Sequence, residues 1–397
     1  MNTNTRNDIV IVSPSRTPLG GLQGSLSSLT APQLGSLVVE GILQNTGLAV
    51  EKVEELLFGC VLSAGLGQSP ARQVALGAGL PLSVTTTTVN KICGSGMKTV
   101  MMAHDQIKAG SNTVIIAGGM ESMSNAPFIL TNIRSGYRLG HKTNYDHMFL
   151  DGLEDAQSKK SMGVFAQKMT DQLGIQREQM DDYAIASLQR AQSSIANGYF
   201  KNEVIPVDII SKAGKVTVSE DEQPAFAKIE KIPLLKPAFA TDGNITAANS
   251  SSISDGAAAM LITTRSVAEK QGWRAVAKIV AHSSHAQATD EFCIAPISAI
   301  QKVLDKAQWD VADVDLFEVN EAFAMVALAA MNSLQIPHEK MNVNGGACAL
   351  GHPLGASGSR IIVTLIHALE RLGKRRGVAS LCIGGGEATA IAIETTI

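Results

Sequence analysis

A cysteine followed by small residues is the first place in the sequence where chemistry can be expected. Cys93 lies in the stretch VNKICGSGMKT, between a β-branched run and a helical pattern. The free N–H groups at the start of a helix favour a thiolate, so this position is expected to lower the pKa of a cysteine. Gly94 and Gly96 are interpreted as clearance for a substrate or a neighbouring backbone. A buried structural cysteine at a tight turn fits the same pattern equally well.

A second candidate is the histidine in the glycine-rich stretch NVNGGACALGHPLGASGSR. His352 is followed by Pro353, which favours an extended backbone at the histidine. A lone histidine is usually a turn residue, but the density of glycines in this loop favours a functional one. Cys348 lies in a small, apolar run of the same stretch and is predicted to be core packing.

Two further stretches, LCIGGGEA and FEVNEAFA, place polar groups at the ends of predicted strands. Cys382 ends an apolar strand, and the glycines behind it can expose N–H groups that bind an oxyanion. A dinucleotide-binding loop is not supported, because the G-x-G-x-x-G spacing is absent and a strand follows. Asn320 is either the N-cap of a helix or an amide that holds a catalytic water.

These residues need a scaffold, and the sequence predicts an α/β fold in which short strands alternate with helices. DIVIVSP, SVTTTTVN and TVIIAGG are predicted strands, and APQLGSLVVEGILQNTG and SGMKTVMMAHDQIKAG are predicted helices. A strand ending at Val89-Asn90 and another ending at Val343-Asn344 each precede a glycine turn and a helix. We therefore predict two related α/β domains, packed as layered sheets and helices, with an inserted loop domain. The predicted domains are residues 1–121 with 252–273, residues 274–397, and the insert at 122–251.

The composition argues against several other classes of protein. A formal net charge of −3 leaves no basic excess for nucleic-acid binding. The five cysteines are scattered without a C-x-x-C pair, so neither a disulfide framework nor a metal site is predicted. Reduced thiols, the absence of a signal sequence and the absence of a long apolar run predict a cytoplasmic protein without membrane contact.

Seven motifs, taken together and in order, resemble the thiolase family. They are RTPLGGLQGSL, GLGQSPARQ, NKICGSGMK, AGGMESMS, NEAFA, GGACALGHPLGASG and CIGGGEATA, and they cover almost the whole chain. The resemblance implies an acyl-CoA C-acyltransferase that condenses two acetyl-CoA molecules to acetoacetyl-CoA and CoA, or cleaves a 3-ketoacyl-CoA with CoA. It implies no cofactor, because coenzyme A is a substrate and product. It also implies a homotetramer, a dimer of dimers, built through the loop after Met123.

The resemblance also implies a role for each candidate. Cys93 matches the nucleophile that is acylated, and His352 matches the base that activates it. Cys382 matches the second cysteine, which removes or returns the α-proton of the acetyl group. Asn320 matches the residue that orients a water in one oxyanion hole, and the backbone N–H groups of Cys93 and Gly384 match the other. The two glycines that follow the nucleophile are then interpreted as clearance for a thioester.

The predicted insert matches the part of the family that binds CoA. In NITAANSSSISDGAAAMLI, Ser251 corresponds to a serine that contacts CoA, and Ala247 and Ile253 correspond to its apolar neighbours. Lys228 and Lys231 are candidates for binding the CoA phosphates, although a solvated lysine face explains them equally well.

Two stretches depart from the family pattern. Ser161-Met162-Gly163 stands where the biosynthetic branch has His-Met-Gly, and Met162 is assigned to the binding of the CoA ester. FCIAPISAI, from Phe292, replaces the more usual Met-Gly-x-Gly-Pro. These departures keep open a degradative 3-ketoacyl-CoA thiolase of broader chain length. A non-catalytic CoA-binding scaffold is a less favoured alternative.

Overall fold

The computed structural model describes residues 6–212 and 214–396. Its strands are β1 (Ile9–Arg16), β2 (Gly20–Gly21), β3 (Glu55–Gly59), β4 (Thr85–Val89), β5 (Val114–Ser122), β6 (Phe128–Leu130), β7 (Asn144–Asp146), β8 (Val207–Ser211), β9 (Gly214–Val218), β10 (Ser254–Thr264), β11 (Ala275–Ala286), β12 (Leu316–Val319), β13 (Arg376–Ile383) and β14 (Glu387–Thr395). Its α-helices are α1 (Ala31–Thr46), α2 (Pro70–Gly77), α3 (Ser95–Lys108), α4 (Met162–Leu173), α5 (Arg177–Ala196), α6 (Gln223–Phe226), α7 (Arg265–Gln271), α8 (Ala295–Ala307), α9 (Ala324–Leu334), α10 (Ala347–Leu350) and α11 (Leu354–Leu372).

The main sheet has the strand order β12-β13-β14-β11-β1-β10-β5-β3-β4, with β2 paired to β10. β1 and β11 pair antiparallel, and this pair joins the two halves of the sheet. In the first half, β1–β10 and β10–β5 pair antiparallel and β5–β3 pair parallel. In the second half, β11–β14 and β14–β13 pair antiparallel and β13–β12 pair parallel. The predicted strand ending at Val343-Asn344 is wrong. A single bridge between Phe317 and Met341 takes the position that β4 has in the first half.

Alternate residues of the central strands face different cores, as the two-residue period of a strand requires. In β10, Ala259 and Leu261 belong to the core with α1 and α2, whereas Ala258 and Met260 belong to the core with α3 and α11. β14 likewise separates the α3–α11 core from a third core with α8 and α9. Three layers of helices therefore alternate with two parts of the sheet, and the predicted fold class is confirmed.

The two central helices, α3 and α11, cross closely because a glycine faces the contact on each. A Cβ on Gly96 would lie 2.7 Å from Oγ of Ser359, and a Cβ on Gly358 would lie 2.4 Å from the backbone nitrogen of Met97. Both distances are shorter than real Cβ contacts. The interpretation of Gly96 as clearance for a thioester is therefore wrong, because the missing side chain makes room for α11.

The segment 122–251 contains the β6–β7 and β8–β9 hairpins and helices α4, α5 and α6. Buried charges tie it to β1, where Arg16 pairs with Glu203 at 2.6 Å and with Asp221 at 2.7 Å. Buried hydrogen bonds tie it to the end of β12, where Tyr183 donates to Glu321 at 2.9 Å. The segment thus packs against both halves of the chain.

Candidate active site

Cys93 is half-buried in the turn between β4 and α3. Ile92, just before it, has a φ of 46°, a left-handed conformation that β-branched residues rarely adopt. Two side chains hold this strained turn. Asn90 Oδ1 accepts from the Ile92 N–H at 2.9 Å, and Ser95 Oγ accepts from the Lys91 N–H at 2.8 Å. Helix α3 begins at Ser95, so its first N–H groups lie next to the nucleophile, as predicted.

The glycine turn after β13 lies against this cysteine. The N–H groups of Gly384 and of Cys93 itself are close enough to the Cys93 sulfur to lower its pKa. Cys382, at the end of β13, is fully buried, and the proximity of Cys93 raises its pKa. An ion pair between Lys91 and Glu387 connects the two turns. The structure therefore brings together both cysteines and the N–H groups that were predicted to bind an oxyanion.

Burial decides the protonation state of both thiols. It raises the pKa of Cys93 to about 11, against the opposing N–H groups and with a further contribution from Glu121. It also raises the pKa of Cys382 well above its ordinary value. The prediction that the helix N-terminus lowers the pKa of Cys93 is therefore wrong, because desolvation outweighs it. Both thiols carry a proton at neutral pH, so the nucleophile needs a base during the reaction.

His352, in the loop between α10 and α11, is positioned to be that base. Its Nδ1 lies 2.5 Å from Oγ of Ser357, whose hydroxyl donates to the carbonyl of Pro353 at 2.9 Å. Because that hydroxyl has one proton to give, it accepts from the histidine, and Nδ1 carries the imidazole proton. The buried Nε2 then keeps its lone pair, and no hydrogen-bond partner for it is present among the described residues.

A buried arginine acts on the histidine and on the candidate asparagine together. Burial lowers the pKa of His352 to about 3, and the charge of Arg360 contributes. Nη1 of Arg360 lies 3.6 Å from Oε2 of Glu318, and its Nη2 donates to Oδ1 of Asn320 at 3.4 Å. With its oxygen held in this way, the Asn320 amide places Nδ2 3.4 Å from Nδ1 of His352; because Nδ1 donates to Ser357, this approach brings two donors together and is not a hydrogen bond. The imidazole is thus neutral at physiological pH, as a general base must be.

Asn320 is not a helix cap. Helix α9 begins at Ala324 with Phe323 in the N-cap position. The Asn320 backbone N–H donates to the carbonyl of Ser380 at 3.0 Å, which fixes the end of β12 against β13. Of the two interpretations of this residue, the capping one is wrong. Its amide lies beside the histidine, and its binding of a catalytic water stays a prediction.

The buried carboxylate of Glu121 connects the loop after β3 to the first turn of α11. It accepts the N–H groups of Val61 and Leu62, both at 3.1 Å, and that of Gly355 at 2.9 Å. Burial raises the pKa of this carboxyl to about 7. Sequence reasoning missed Glu121, Ser357 and Arg360. Glu121 and Arg360 act through partners that are distant in sequence, whereas Ser357 lies five residues after its partner His352 in the same glycine-rich stretch.

The cleft in front of Cys93 and His352 has a cavity volume of about 210 Å³. Of the residues predicted to bind CoA, Met162, Ser251 and Ile253 line it. Sequence reasoning missed several apolar lining residues that are scattered along the chain: Met123, Phe149, Leu153, Phe239, Phe323 and Leu354. No shared spacing marks them, so the sequence gives no signal for this set.

Three predicted contacts lie outside the cleft lining. Ala247 is exposed, and so are Lys228 and Lys231. On the surface of the molecule, Lys228 precedes the short 3-10 helix Ile229–Leu234 that follows α6, and Lys231 lies within it. Their binding to a CoA phosphate stays a prediction.

Family models and relatives agree with this fold. Residues 9–266 match the model of the thiolase N-terminal domain, and residues 273–395 match that of the thiolase C-terminal domain. The chain belongs to the thiolase family, which confirms the resemblance of the seven motifs.

Among its relatives, a probable acetyl-CoA acetyltransferase of Dictyostelium discoideum is 44% identical over 397 residues, covering 99% of this chain and 96% of that protein. The crystal structure of the Bacillus anthracis acetyl-CoA acetyltransferase has a TM-score of 0.96 at 38% identity, covering 99% of this chain and 100% of that one. The Acat5 thiolase from Ascaris suum, solved in complex with coenzyme A, has a TM-score of 0.92 at 39% identity. That comparison covers 98% of this chain and 100% of that one.

Proposed function

We propose that this chain is an acetyl-CoA C-acetyltransferase. It condenses two acetyl-CoA molecules to acetoacetyl-CoA and CoA, reversibly, through an acyl group on Cys93. The observation that carries the proposal is the pairing in one cleft of Cys93, whose pKa is raised, with His352, whose pKa is lowered and whose Nε2 has no hydrogen-bond partner within residues 6–212 and 214–396. The names of the relatives support the acetyl group as the acyl unit.

In the first half-reaction, the Cys93 thiol gives its proton to Nε2 of His352 as the sulfur attacks the thioester carbonyl. The N–H groups of Cys93 and Gly384 stabilise the oxyanion, and one such donor is worth about 3 kcal/mol in comparable enzymes. The bond to the CoA sulfur then breaks, and the leaving thiolate takes the proton back from His352. Acetyl-Cys93 and free CoA result, with no net change in protons.

In the second half-reaction, the Cys382 thiol first gives its proton to His352, and the resulting thiolate removes an α-proton from a second acetyl-CoA. A water held by Asn320, together with His352, stabilises the enolate oxygen, and the α-carbon attacks acetyl-Cys93. Cys93 leaves as a thiolate and takes the proton from His352, so both thiols are protonated and the imidazole is neutral again. The ionisable Cys93 thiol raises the pKa of Cys382. Acetylation removes that neighbour, so the charged form of Cys382 costs less free energy after acyl transfer than before it.

Mass spectrometry of peptides after incubation with acetyl-CoA tests the first half-reaction. We expect the acetyl group on Cys93; an acetyl group on another residue, with Cys93 unmodified, would refute the assignment. Cys382→Ala tests the second. This variant should still form acetyl-Cys93 but lose condensation, and a folded variant that loses both activities contradicts the division of labour.

A degradative 3-ketoacyl-CoA thiolase of broader chain length is the second candidate. Two observations favour it: the phenylalanine-lined cleft, and Ser161 in the place of the histidine of the biosynthetic branch. Values of kcat/KM for 3-ketoacyl-CoA substrates of increasing length distinguish the two. We expect the maximum at acetoacetyl-CoA, and a maximum at a longer chain would favour the degradative enzyme.

We further propose a homotetramer that forms through the β6–β7 hairpin. On this segment Phe128 is 70% exposed and Leu139 is 91% exposed, which is unusual for large apolar side chains. The chemistry uses thiols, an imidazole, an amide and backbone N–H groups, so we propose acetyl-CoA, acetoacetyl-CoA and CoA as the small-molecule partners, with no cofactor, nucleic acid or membrane.

We also propose a cytoplasmic location, supported by five cysteines that are all free thiols. Over the described part of the chain, no helix combines the length and apolar character that crossing a bilayer requires.

A further inference from the structure

A second group of titratable side chains lies where the end of α3 meets β11. His104 and Asp105 are in the last turns of α3, and His282 is on β11. Nδ1 of His104 and Nε2 of His282 each lie 2.9 Å from Oδ1 of Asp105, and 3.3 Å from each other. Within residues 6–212 and 214–396, this is the one group of three or more His, Cys, Asp or Glu side chains whose ligand atoms converge in this way.

We propose that these three side chains bind a divalent transition-metal ion, with Zn²⁺ as the reference metal. Two imidazole nitrogens and one carboxylate oxygen form a ligand set that suits Zn²⁺, and water completes a four-coordinate site. The separations of 2.9, 2.9 and 3.3 Å leave room for an ion about 2.0–2.1 Å from all three atoms.

Burial and charge around the cluster set its properties. His104 is buried, and desolvation lowers its pKa, so its ring is in the neutral form that metal binding needs. Asp105 is exposed, which gives an ion and its water ligand access from solvent. Two cations oppose binding, since Lys108 lies close enough to lower the pKa of His104 and Lys306 Nζ donates to the His282 carbonyl at 2.9 Å. The affinity should therefore be lower than that of a closed structural zinc site.

The ion joins two elements from different halves of the chain, which the contact between Asp105 and His282 already connects. Helix α3 belongs to the first half of the chain, and β11 to the second. His104 is eleven residues beyond Cys93, about 16 Å along the helix, so the ion takes no part in the reaction and acts as a clamp. The sequence predicted no metal site, because 178 positions separate the two histidines and no short motif contains them.

Titration of chelator-treated, full-length protein with Co²⁺ and then Zn²⁺ tests the proposal. We expect one equivalent of Co²⁺ to give visible d–d bands of a tetrahedral site, and Zn²⁺ to displace it and raise the Tm. Thiolate ligands give a sulfur-to-cobalt charge-transfer band in the near ultraviolet. Its absence at the first equivalent assigns the ion to the histidines, and its presence there would assign the ion to the active-site cysteines and overturn the proposal.

Two matched histidine variants on β11 complete the test. His282→Ala should weaken Co²⁺ binding roughly tenfold or more and abolish the Zn²⁺-induced rise in Tm. His285→Ala should change neither, because the ring of His285 contacts Gln287 and Lys302 and lies outside the cluster. Asp105→Asn, an isosteric change at an exposed side chain, replaces His282→Ala if that variant does not fold. Unchanged affinity in His282→Ala or Asp105→Asn would overturn the proposal, and so would wild-type protein without a d–d band at excess Co²⁺.

Discussion

Replacing Ser357 by alanine should slow the acylation of Cys93 while leaving the fold and the binding of acetyl-CoA intact. The Ser357 hydroxyl accepts the Nδ1 proton of His352 at 2.5 Å, and this hydrogen bond keeps the lone pair on Nε2. Without it, the neutral ring can hold its proton on Nε2, where it cannot accept a proton from the thiol.

The magnitude follows from the change in charge during the reaction. As His352 accepts the thiol proton it becomes an imidazolium, so the hydrogen bond from Nδ1 to Ser357 becomes charge-assisted. A hydrogen bond to a charged group contributes about 1.5–3 kcal/mol. At about 1.4 kcal/mol for each factor of ten, its loss from the transition state slows acylation roughly 10- to 150-fold.

Rapid-quench measurement of the first CoA released from acetyl-CoA gives the acylation rate directly. Ser359→Ala is the matched control, because Oγ of Ser359 donates to the carbonyls of Ala258 and Ala356, at 2.9 and 2.8 Å, and not to the histidine. Each variant loses one buried hydroxyl of α11. Both should therefore lose a similar free energy of unfolding, about 1 kcal/mol, and only Ser357→Ala should lose acylation rate.

Two results would refute this reasoning. A folded Ser357→Ala variant that acylates within a factor of about three of the wild type would show that the hydrogen bond does not control the tautomer. Equal slowing in Ser359→Ala would show that the rate responds to the packing of α11 rather than to the histidine. The Kd for acetyl-CoA should stay the same in both variants.

Three further predictions follow from the same structure. Arg360→Gln should raise the pKa of His352 from about 3, so that the acylation rate falls toward acidic pH in a pH–rate profile. Arg360→Lys keeps the charge and should restore the flat profile. A Gln variant whose acylation rate does not fall at acidic pH would show that Arg360 does not control the pKa of His352. Burial raises the pKa of Glu318 from 4.5 to about 8. The folded chain therefore retains a proton that the unfolded chain loses, so the contribution of Glu318 to the free energy of unfolding falls as pH rises from 5 to 8. In urea denaturation, Glu318→Gln should lose less stability than the wild type over that range, and parallel pH curves would contradict the prediction. Leu139→Asp should convert tetramers to smaller species in sedimentation analysis without unfolding the subunit, because this side chain is 91% exposed in the single chain. An unchanged tetramer would remove the hairpin from the interface.

The fold and the reacting groups could be predicted from the sequence because their signals are local. Cys93 lies between a β-branched strand and a helix that begins at Ser95, as its neighbours in the sequence indicate. Cys382 ends a strand followed by glycines, for the same kind of reason. Where local signals were weak, prediction failed: the stretch ending at Val343-Asn344 has strand-forming residues, but only Met341 forms a bridge.

Glu121 and Arg360, which control the reacting residues, could not be predicted, because their roles depend on burial and on partners that are distant in sequence. Glu121 holds Gly355, 234 positions away, and nothing near either residue indicates the contact. The predicted shift in the pKa of Cys93 had the wrong sign because it also depends on burial. A helix N-terminus is visible in the sequence, whereas the desolvation that outweighs it requires the packed structure.

Burial shifts the pKa values of the nucleophile and of its base in opposite directions, and these shifts determine the protonation states of the resting site. It raises the pKa of Cys93 and lowers that of His352, so both effects favour the neutral thiol–imidazole pair over thiolate and imidazolium. Charge then develops only when a thioester carbonyl can receive it, and the donors for that charge must already be in place. The fixed Gly384 turn, tied to the nucleophile turn by Lys91 and Glu387, meets this requirement. The site therefore relies on preorganised donors rather than on a resting thiolate.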